Sequence, residues 1–293
     1  MDNFEQTIDE YKNLINRSLD SLFSEGESDG KVIEAMKYSL LGSGKRIRGI
    51  IALACCSIFS EKICIALPAA LSVEIVHCYS LIHDDLPCMD NDDIRRGKPS
   101  CHVKFGESTA LLAGDALLTL GFKVLSKMTE PGDAAKCIEI LSSAAGHRGM
   151  ILGQELDIAS TGQSCISLKM LNKIHTNKTG QMYVAAASMG AVAAKAPQKD
   201  ITVLEDAFYN IGLSFQIIDD ILDFTSDERT LGKPVKSDMK KGKLTYLSLY
   251  SVDQAKKTAA DLTNKAIGLL QNRFKDKAQI VIRIAENLLL RIS

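Results

Sequence analysis

The stretch from His77 to His102 holds the densest group of side chains that could do chemistry. Asp84 and Asp85 follow an apolar run, and Asp90 comes soon after them. If the apolar run is a helix, Pro87 helps to end it, because proline lacks a backbone donor. The acidic pair then sits near a helix C-terminus, where the helix dipole disfavours negative charge and a cation must offset it. The aspartates that could contribute are Asp84, Asp85, Asp90, Asp92, Asp93 and, further along, Asp115.

Two arginines, Arg95 and Arg96, come directly after this acidic run. Clustered carboxylates followed by paired arginines suit Mg²⁺ bridged to a phosphate. Magnesium takes a few carboxylates and completes its octahedron with water and phosphate oxygens. The stretch therefore predicts a magnesium–phosphate site.

A second stretch, SFQIIDDILDF, repeats the arrangement. Asp219 and Asp223 share one face of a predicted helix, and Asp220 flanks them. That helix is expected to end soon after Phe224, so carboxylates again gather at the C-terminal end of a helix. One acidic cluster is more often a solvated face. Two such clusters, each led by an apolar run, are harder to explain as surface.

A further set of polar residues is basic and flanked by glycines. Its members are Lys45, Arg48, Arg95, Arg96, Lys178, Lys233 and Lys243. The set is larger than one diphosphate needs, which indicates a second diphosphate bound directly by lysine and arginine. An apolar interior beneath such a site would suit a hydrocarbon tail.

Helices must position these residues, because apolar residues recur at helical spacing and no alternating strand pattern or hairpin signal is found. Helices are predicted over 3–24, 32–41, 50–59, 73–86, 107–128, 131 onward through GHRGMILGQELDIA, 167–175, 180–195, 200–224, 252–272 and 276–291. In the long helix from 131, Gln154 and Asp157 are either a simple polar pair or support for the site. The expected fold class is all-α: a single-domain large helical bundle around a central apolar cavity, with acidic clusters at helix ends.

Composition narrows the function classes. The chain has 293 residues, 46% hydrophobic and 24% charged, with a net charge of −1, so it has no basic field for nucleic acid. Eight cysteines without a CxxC pair favour free thiols in a reducing cytosol over zinc or disulfides. The N-terminus lacks a signal-peptide pattern, and the alanine-rich run 182–194 is too short to span a bilayer. These features predict a cytoplasmic protein without a membrane span.

Taken together, these motifs resemble the trans-isoprenyl diphosphate synthases, and most closely the bacterial type of farnesyl diphosphate synthase. The resemblance runs from GSGKRIR through SLIHDDLPCMDNDDIRRGKPSCH, AGDALL, GQELD, NKTG and FQIIDDILDF to LGK and KGKLTY. The first acidic motif has the form DDxxxxD and the second the form DDxxD. Both motifs together, with RRGKP after the first, are a specific signal. The resemblance implies the isoprenoid synthase fold, one domain over residues 1–293 and a homodimer.

The resemblance also implies roles for individual residues. It implies Mg²⁺ as cofactor, with three ions expected, Mn²⁺ able to replace them, and Asp84, Asp90 and Asp219 as metal ligands. Catalytic roles fall to Asp84, Asp85, Asp90, Asp219, Asp220, Asp223 and Lys178. Arg95, Lys178 and Lys233 would bind the allylic diphosphate, with Thr179 and Gln216 nearby. Lys45, Arg48, His77 and Arg96 would bind isopentenyl diphosphate, and Lys243 is a further substrate-binding candidate.

The reaction implied is ionisation of the allylic diphosphate, condensation and loss of a proton. Some positions depart from the family pattern: Gly49 stands where proline is usual, Lys236 where glycine is usual, and Leu244 where a small hydroxyl residue is usual. These departures put the conformation of two loops in question, not the reaction. The C-terminus LLLRIS lacks a basic tail, so closure of a tail over the site is left open.

Product length is predicted from the helix that ends at the first acidic pair. Tyr79 and Ser80 lie one to two turns before that pair. A tyrosine ring pointing into the cavity would stop the chain after about three isoprene units, because one helix turn rises only about 5.4 Å. The resemblance then implies farnesyl diphosphate, with geranylgeranyl diphosphate as the alternative. If Tyr79 instead packs outward, this argument lapses.

Two rival functions are weighed against this one. His83 beside Asp84 could indicate a metal phosphohydrolase of the HD type, but that site needs another histidine well upstream and transition-metal ligation. A non-catalytic helical partner subunit should have lost one acidic cluster, and this chain keeps both.

Overall fold

The computed structural model describes residues 3–23, 30–163, 166–225 and 243–292. Within these ranges the chain is a bundle of helices, which confirms the predicted all-α class. The helices are α1 (Asn3–Ser21), α2 (Lys31–Leu40), α3 (Ile47–Ser57), α4 (Leu67–Asp84), α5 (Cys101–Phe105), α6 (Glu107–Leu125), α7 (Pro131–Ala145), α8 (Met150–Ser160), α9 (Leu168–His175), α10 (Gln181–Ala193), α11 (Gln198–Thr225), α12 (Val252–Phe274) and α13 (Gln279–Leu289).

Short turns of other helix types extend several of these helices. A π-helical turn, Thr176–Gly180, joins α9 to α10. Single 3₁₀ turns occupy Ile63–Ala66, Tyr246–Ser248, Lys275–Ala278 and Leu290–Ile292. Single π-turns inside longer helices often mark functional sites, and this one carries the predicted residues Lys178 and Thr179.

The bundle interior is built around α4, α10 and α11. Helix α4 packs against α3 and α6, and α10 packs against α3, α7 and α11. Most residues of α10 are buried because the helix is apolar on every side. A smaller apolar cluster lies at the end of α11, where it meets α12 and the buried side chain of Tyr246. The main apolar core and this smaller cluster together fix the ends of α4 and α11, which carry the two acidic motifs.

The structure corrects the sequence prediction between residues 131 and 160. A single helix was expected through GHRGMILGQELDIA, but the segment divides into α7, which ends at Ala145, and α8, which begins at Met150. A side chain at Gly149 would place its Cβ 2.1 Å from the carbonyl oxygen of Ala144, so the chain folds back here only with glycine. The second glycine of GHRG, Gly149, could have indicated this break in the helix. It was overlooked because the apolar residues on either side of it continue at helical spacing.

A small hairpin, which the sequence prediction missed, follows the first acidic cluster. Strands β1 (Ile94–Arg95) and β2 (Lys98–Pro99) pair antiparallel. The turn residues Arg96 and Gly97 have φ values of 54° and 74°, and a two-residue turn of type I′ requires positive φ at both positions. Strands of two residues are too short to show an alternating pattern, so RRGK carried no recognisable signal.

Two helical segments in the described part of the chain are long and apolar enough to cross a membrane by length and composition. They are Ile63–Asp84, with 67% of its most apolar window buried, and Glu107–Leu125, with 39%. The first carries the acidic pair and lies inside the bundle, as the core helix of a water-soluble fold does. The second leaves Leu111 and Leu112 exposed at 46% and 54%.

Candidate active site

A cavity of about 1290 Å³ lies between α4, the hairpin, α8, the π-turn and α11. It brings together most of the residues that the sequence singled out. These are Lys45, Arg48, His77, Tyr79, Ser80, Asp84, Asp92, Asp93, Arg95, Arg96, Lys178, Thr179, Gln216 and Asp219. Residues that are far apart in the sequence therefore meet at one site, and one carboxylate from each of the two acidic clusters is among them.

The remaining predicted residues lie elsewhere. Asp85, Asp220 and Asp223 are 2%, 4% and 4% exposed and lie behind the cavity wall. Asp90 and Lys243 form an ion pair with 2.7 Å between carboxylate and Nζ. The predicted ligand Lys233 and the departure Lys236 lie outside the described residues. Asp115 is on the exposed side of α6, where Nε2 of His83 lies 3.9 Å from its carboxylate.

The first acidic pair divides its two carboxylates between different tasks. Asp84 ends α4 and lines the cavity, where burial raises the pKa of its carboxyl to about 6, although Lys178 opposes the shift. Asp85 points the other way and receives the guanidinium of Arg95, whose Nε lies 3.0 and 3.2 Å from its two oxygens and whose Nη2 also contacts it. Arg95 lies 3.6 Å from Asp92 as well.

Burial and pairing compete at Asp85. Burial raises the pKa of the Asp85 carboxyl, and the hydrogen bond and charge of Arg95 lower it, leaving it above its usual value. Burial also acts to lower the pKa of Arg95, but the hydrogen bond and charge of Asp85 outweigh that effect. The pair therefore fixes one edge of the Arg95 guanidinium while the residue still lines the cavity.

The second acidic pair shows the same division. Asp219 lines the cavity, and Nη2 of Arg291 lies 3.7 Å from its carboxylate. Asp220 points inward, where one oxygen accepts a hydrogen bond from the amide of Gln216 at 3.1 Å. Its other oxygen accepts one from the backbone N–H of Tyr246 at 2.9 Å.

The π-turn brings Lys178 to α8. Its Nζ lies 2.6 Å from the carboxylate of Asp157, and Nζ of Lys243 lies 3.8 Å from the same carboxylate. Gln154, one turn earlier on α8, lines the cavity, and its two buried amide atoms have no hydrogen-bond partner among the described residues. The sequence left the role of Gln154 and Asp157 open; the structure places Gln154 on the cavity wall and Asp157 in an ion pair with Lys178.

The turn between α2 and α3 is held by a buried ion pair. Arg46 adopts a positive φ of 54° and lies 3.8 Å from Glu74 on α4. The other oxygen of Glu74 accepts the backbone N–H of Gly49 at 2.9 Å. Proline, usual at this position in the family that the sequence resembles, has no N–H to donate. The departure at Gly49 is thus part of the support that places Lys45 and Arg48 on the cavity wall.

Several of the cavity's cationic groups lie close enough to one another to lower each other's pKa values. Burial, and then Arg291, lowers the pKa of Lys45. Burial, and then Arg48, Arg96 and Arg95, lowers the pKa of His77 well below its usual value, so this imidazole is neutral near pH 7. The guanidinium of Arg48 also lies 5.0 Å from the centre of the Tyr183 ring. A bound diphosphate would offset this concentration of positive charge.

The donor set fits magnesium. The acidic side of the cavity offers carboxylates, which are hard oxygen ligands, from Asp84, Asp92, Asp93, Glu155 and Asp219. Among the described residues, no group of three or more histidine, cysteine, aspartate or glutamate side chains could hold a metal ion by itself. That arrangement suits Mg²⁺, which is commonly held by one or two carboxylates together with substrate phosphates and water.

Sequence reasoning missed several residues of the site, and three of them illustrate why. Arg291 lines the cavity from the C-terminal turn, and Phe215 lines it from α11 one residue before Gln216. The third is Tyr246, which holds Asp220 through its backbone N–H and donates its hydroxyl to Asn172 at 2.7 Å. A single arginine after an apolar helix, or a single aromatic residue within one, carries no distinctive pattern. The tyrosine of KGKLTY was quoted as part of a motif, but a backbone contact cannot be read from it.

Known proteins resemble this chain over most of its length. The family model described as polyprenyl synthetase matches residues 30–285. The chain is 42% identical over 258 residues to geranylgeranyl pyrophosphate synthase 7 of Arabidopsis thaliana, covering 87% of this chain and 74% of that protein. It is 39% identical over 280 residues to farnesyl diphosphate synthase of Geobacillus stearothermophilus, covering 94% of each.

A solved structure gives the same picture. The geranyltransferase of Helicobacter pylori, complexed with magnesium and isoprenyl diphosphate, superposes with a TM-score of 0.87 at 32% identity. The match covers 96% of this chain and 97% of that one. Curated relatives named for farnesyl and for geranylgeranyl products are thus about equally similar to this chain.

Proposed function

The chain belongs to the polyprenyl synthetase family and is a trans-prenyltransferase; on that premise we propose that it makes farnesyl diphosphate. The substrates proposed are isopentenyl diphosphate and an allylic diphosphate, dimethylallyl or geranyl, joined head to tail with release of diphosphate. Tyr79 is the observation on which the choice of product rests.

Tyr79 lies in the cavity wall, on α4 before Asp84, and is 6% exposed. Its ring meets the ring of His83 edge to face at 5.7 Å, so it is backed by a second aromatic side chain. Burial, and then the charge of Asp84, raises the pKa of the Tyr79 hydroxyl to about 12. An uncharged ring that packs against a second aromatic side chain in the cavity wall could block growth of the product beyond three isoprene units.

Two groups of cations support the binding of two diphosphates. Arg95 and Lys178 lie beside the first acidic pair and would hold the allylic diphosphate. The other group is formed by Lys45, Arg48, His77 and Arg96. Burial and neighbouring cations lower the pKa values of Lys45 and His77, and a bound anion would offset that positive charge. The division leaves the allylic carbon between the two groups, above the apolar part of the cavity.

Asp84 and Asp219 on the cavity wall would hold Mg²⁺, for which Mn²⁺ could substitute, together with Asp90 once it leaves its ion pair with Lys243; three ions are proposed. A metal held by these carboxylates would supply positive charge against the negative charge that develops on the departing diphosphate. Arg95 and Lys178 donate to the same leaving group as its bond to the allylic carbon breaks. The double bond of isopentenyl diphosphate then forms the new carbon–carbon bond, and a proton passes to the released diphosphate. The apolar walls exclude water from the cation.

The direct test is to incubate the purified protein with Mg²⁺, isopentenyl diphosphate and each allylic primer, and to measure product length. Farnesyl diphosphate should be the main product, and Tyr79→Ala should lengthen it by at least one five-carbon unit. Ser80→Ala, on the neighbouring position of the same helix, is the matched control and should change product length less. An unchanged distribution for Tyr79→Ala would remove the basis of the farnesyl proposal.

Geranylgeranyl diphosphate is the second candidate product. It is favoured by the 42% identity to a relative named for that product and by the size of the cavity, about 1290 Å³. A main product of four isoprene units from the unaltered protein would decide for it. A non-catalytic partner role is disfavoured, because one carboxylate of each acidic pair lines the cavity.

We further propose a single domain over residues 1–293 that forms a homodimer through the exposed face of α6. Leu111 and Leu112 are large apolar residues exposed on that face, and burying them against a second copy would remove them from water. Light scattering should show a dimer, and Leu112→Glu should shift it towards monomer. The seven cysteines in the described ranges are free, which supports a cytoplasmic location.

A further inference from the structure

Asp220 stands at the inner end of a chain of hydrogen bonds that leads to the cavity. Its carboxylate accepts from the Gln216 side-chain nitrogen at 3.1 Å, one helical turn away on α11. The Gln216 side-chain oxygen in turn accepts from the hydroxyl of Thr179 at 2.9 Å. Gln216 and Thr179 both line the cavity, whereas Asp220 is buried behind them.

The direction of this chain is determined by Asp220. A carboxylate accepts hydrogen bonds and has none to donate, so the NH₂ end of the Gln216 amide must face it. The carbonyl end must then face Thr179. Because that carbonyl can only accept, the Thr179 hydroxyl must donate its proton to Gln216. The oxygen of Thr179 therefore keeps its lone pairs available for other groups.

Asp220 itself is held in place by the protein. The backbone N–H of Tyr246 donates to its second oxygen at 2.9 Å, and the Tyr246 hydroxyl is bonded to Asn172. The ring of His175 stacks on that of Tyr246, and its Nε2 lies 3.7 Å from Asp220. A carboxylate held on both oxygens can hold the amide of Gln216 in one orientation.

We propose that Asp220 is a positioning residue that acts through Gln216 to present acceptor oxygens, and no donor proton, at the wall beside Lys178. The role deepens the proposed prenyl transfer and rests on it. An amide free to rotate would let Thr179 turn its proton towards the cavity, where a positive allylic group must develop. Positive charge is stabilised by oxygen lone pairs and destabilised by an O–H or N–H hydrogen pointing at it.

Substitution at 220 should therefore lower kcat through the orientation of Gln216. In Asp220→Asn, the new amide has one acceptor and one donor, yet it faces two donors, Gln216 and the Tyr246 N–H. One hydrogen bond must be lost. We expect kcat to fall by about 10- to 100-fold, as when a supporting partner of an active-site group is removed. Asp206→Asn, an exposed position on the same helix, is the matched control.

A polarity swap isolates the proposed hydrogen bond. Gln216→Glu alone should also be slow, because two carboxylates then face each other. In the double variant, the amide introduced at position 220 can donate to the carboxylate introduced at position 216 and accept from the Tyr246 N–H. That new carboxylate still accepts from Thr179. We expect the double variant to recover at least about tenfold over the slower single variant, since coupled neighbours are non-additive. Losses that simply multiply would overturn the proposal.

The swap also covers the case in which Asp220→Asn alone is poorly folded, because Gln216→Glu and the double variant can be compared directly. An unaltered protein that makes no prenyl product would overturn the proposed function and this role with it. An active unaltered protein without rescue would overturn this role alone.

A binding measurement separates positioning from metal ligation. Calorimetric titration of Mg²⁺ into protein with inorganic diphosphate should give Asp220→Asn a dissociation constant within about twofold of the unaltered protein, since no metal ligand is changed. Asp219→Asn should weaken the same binding at least about tenfold, as loss of a carboxylate ligand would. Equal weakening in the two variants would identify Asp220 as a ligand and overturn the proposal.

Discussion

The two acidic pairs of the cavity have the same arrangement, but their inward-pointing carboxylates bind different kinds of partner. In each, one carboxylate lines the cavity, Asp84 or Asp219, and its neighbour points into the protein. The inward carboxylate of the first pair, Asp85, binds a charged group, Arg95. The inward carboxylate of the second, Asp220, binds two neutral groups, an amide and a backbone N–H.

The difference shows what each side of the cavity has to position. On the first side the polar group brought to the wall is a cation, so a full opposite charge holds it. On the second side the group at the wall is the neutral amide of Gln216. What matters there is which way the amide points, because it carries no net charge. The cavity-facing carboxylates differ too: burial raises the pKa of Asp84 to about 6, whereas the Asp219 side chain is 42% exposed.

The largest expected effect is a loss of catalytic rate that is equally large for the cavity-facing carboxylate of either acidic pair. Asp84→Asn and Asp219→Asn should each lower kcat about 10³-fold, the scale of removing one main electrostatic contact to a developing charge. The measurement is steady-state product formation with both substrates and Mg²⁺. Asp115→Asn, an exposed aspartate on α6 outside the cavity, is the control. A near-normal rate in either variant would mean that the two pairs do not share the reaction.

The next effect should distinguish the two inward carboxylates. Asp85→Asn should raise the KM for the allylic diphosphate by about 10- to 100-fold and change that for isopentenyl diphosphate less, because Arg95 loses its charged support. Asp220→Asn should instead act mainly on kcat. Asp85→Glu keeps the charge and should recover part of the loss. Equal increases in both KM values would contradict the assignment of Arg95 to one substrate.

A smaller effect should appear in stability without metal. The pKa of Asp84 is raised from 3.8 in the unfolded chain to about 6 in the folded protein. The folded state then binds the proton more tightly, so this contribution is present below pH 4 and is lost as pH rises through about 6. The stability that Asp84→Asn gains over the unaltered protein should therefore grow between pH 4 and 7 to about 3 kcal/mol, the free energy that corresponds to this pKa shift. The Asp219 side chain is 42% exposed, so Asp219→Asn should gain less stability in urea unfolding curves at the same pH values.

The smallest expected effect is on metal affinity, through the cationic side chains that pair with carboxylates of the two acidic clusters. Lys243 lies 2.7 Å from Asp90, and both side chains are largely buried, whereas Arg291 lies 3.7 Å from the more exposed Asp219. Replacing Lys243 by Met should tighten Mn²⁺ binding to the substrate-free protein several-fold, while Arg291→Met should change it by less than about twofold, as for an exposed ion pair. Electron paramagnetic resonance of Mn²⁺ measures both. A larger change for Arg291→Met would reverse the comparison.

The sequence by itself picked out most of the charged side chains that the cavity brings together. Both acidic motifs, the basic turn and most helices were visible because apolar spacing and charge clustering are local properties of the chain. Tyr79 lies on the cavity wall, where the sequence placed it. The hairpin at Arg95 and the break at Gly149 were missed because each depends on a few backbone angles.

Only the tertiary structure decided what each residue of an acidic pair does. Adjacent residues on a helix point about 100° apart, so the sequence alone does not say which member of each acidic pair faces the cavity. Which of them does so depends on the rotation of α4 and α11 in the bundle, and that rotation is set by packing against α3, α6, α10 and α12. The same packing brings in Arg291 and Tyr246, residues from far along the chain whose contacts leave no trace in local sequence.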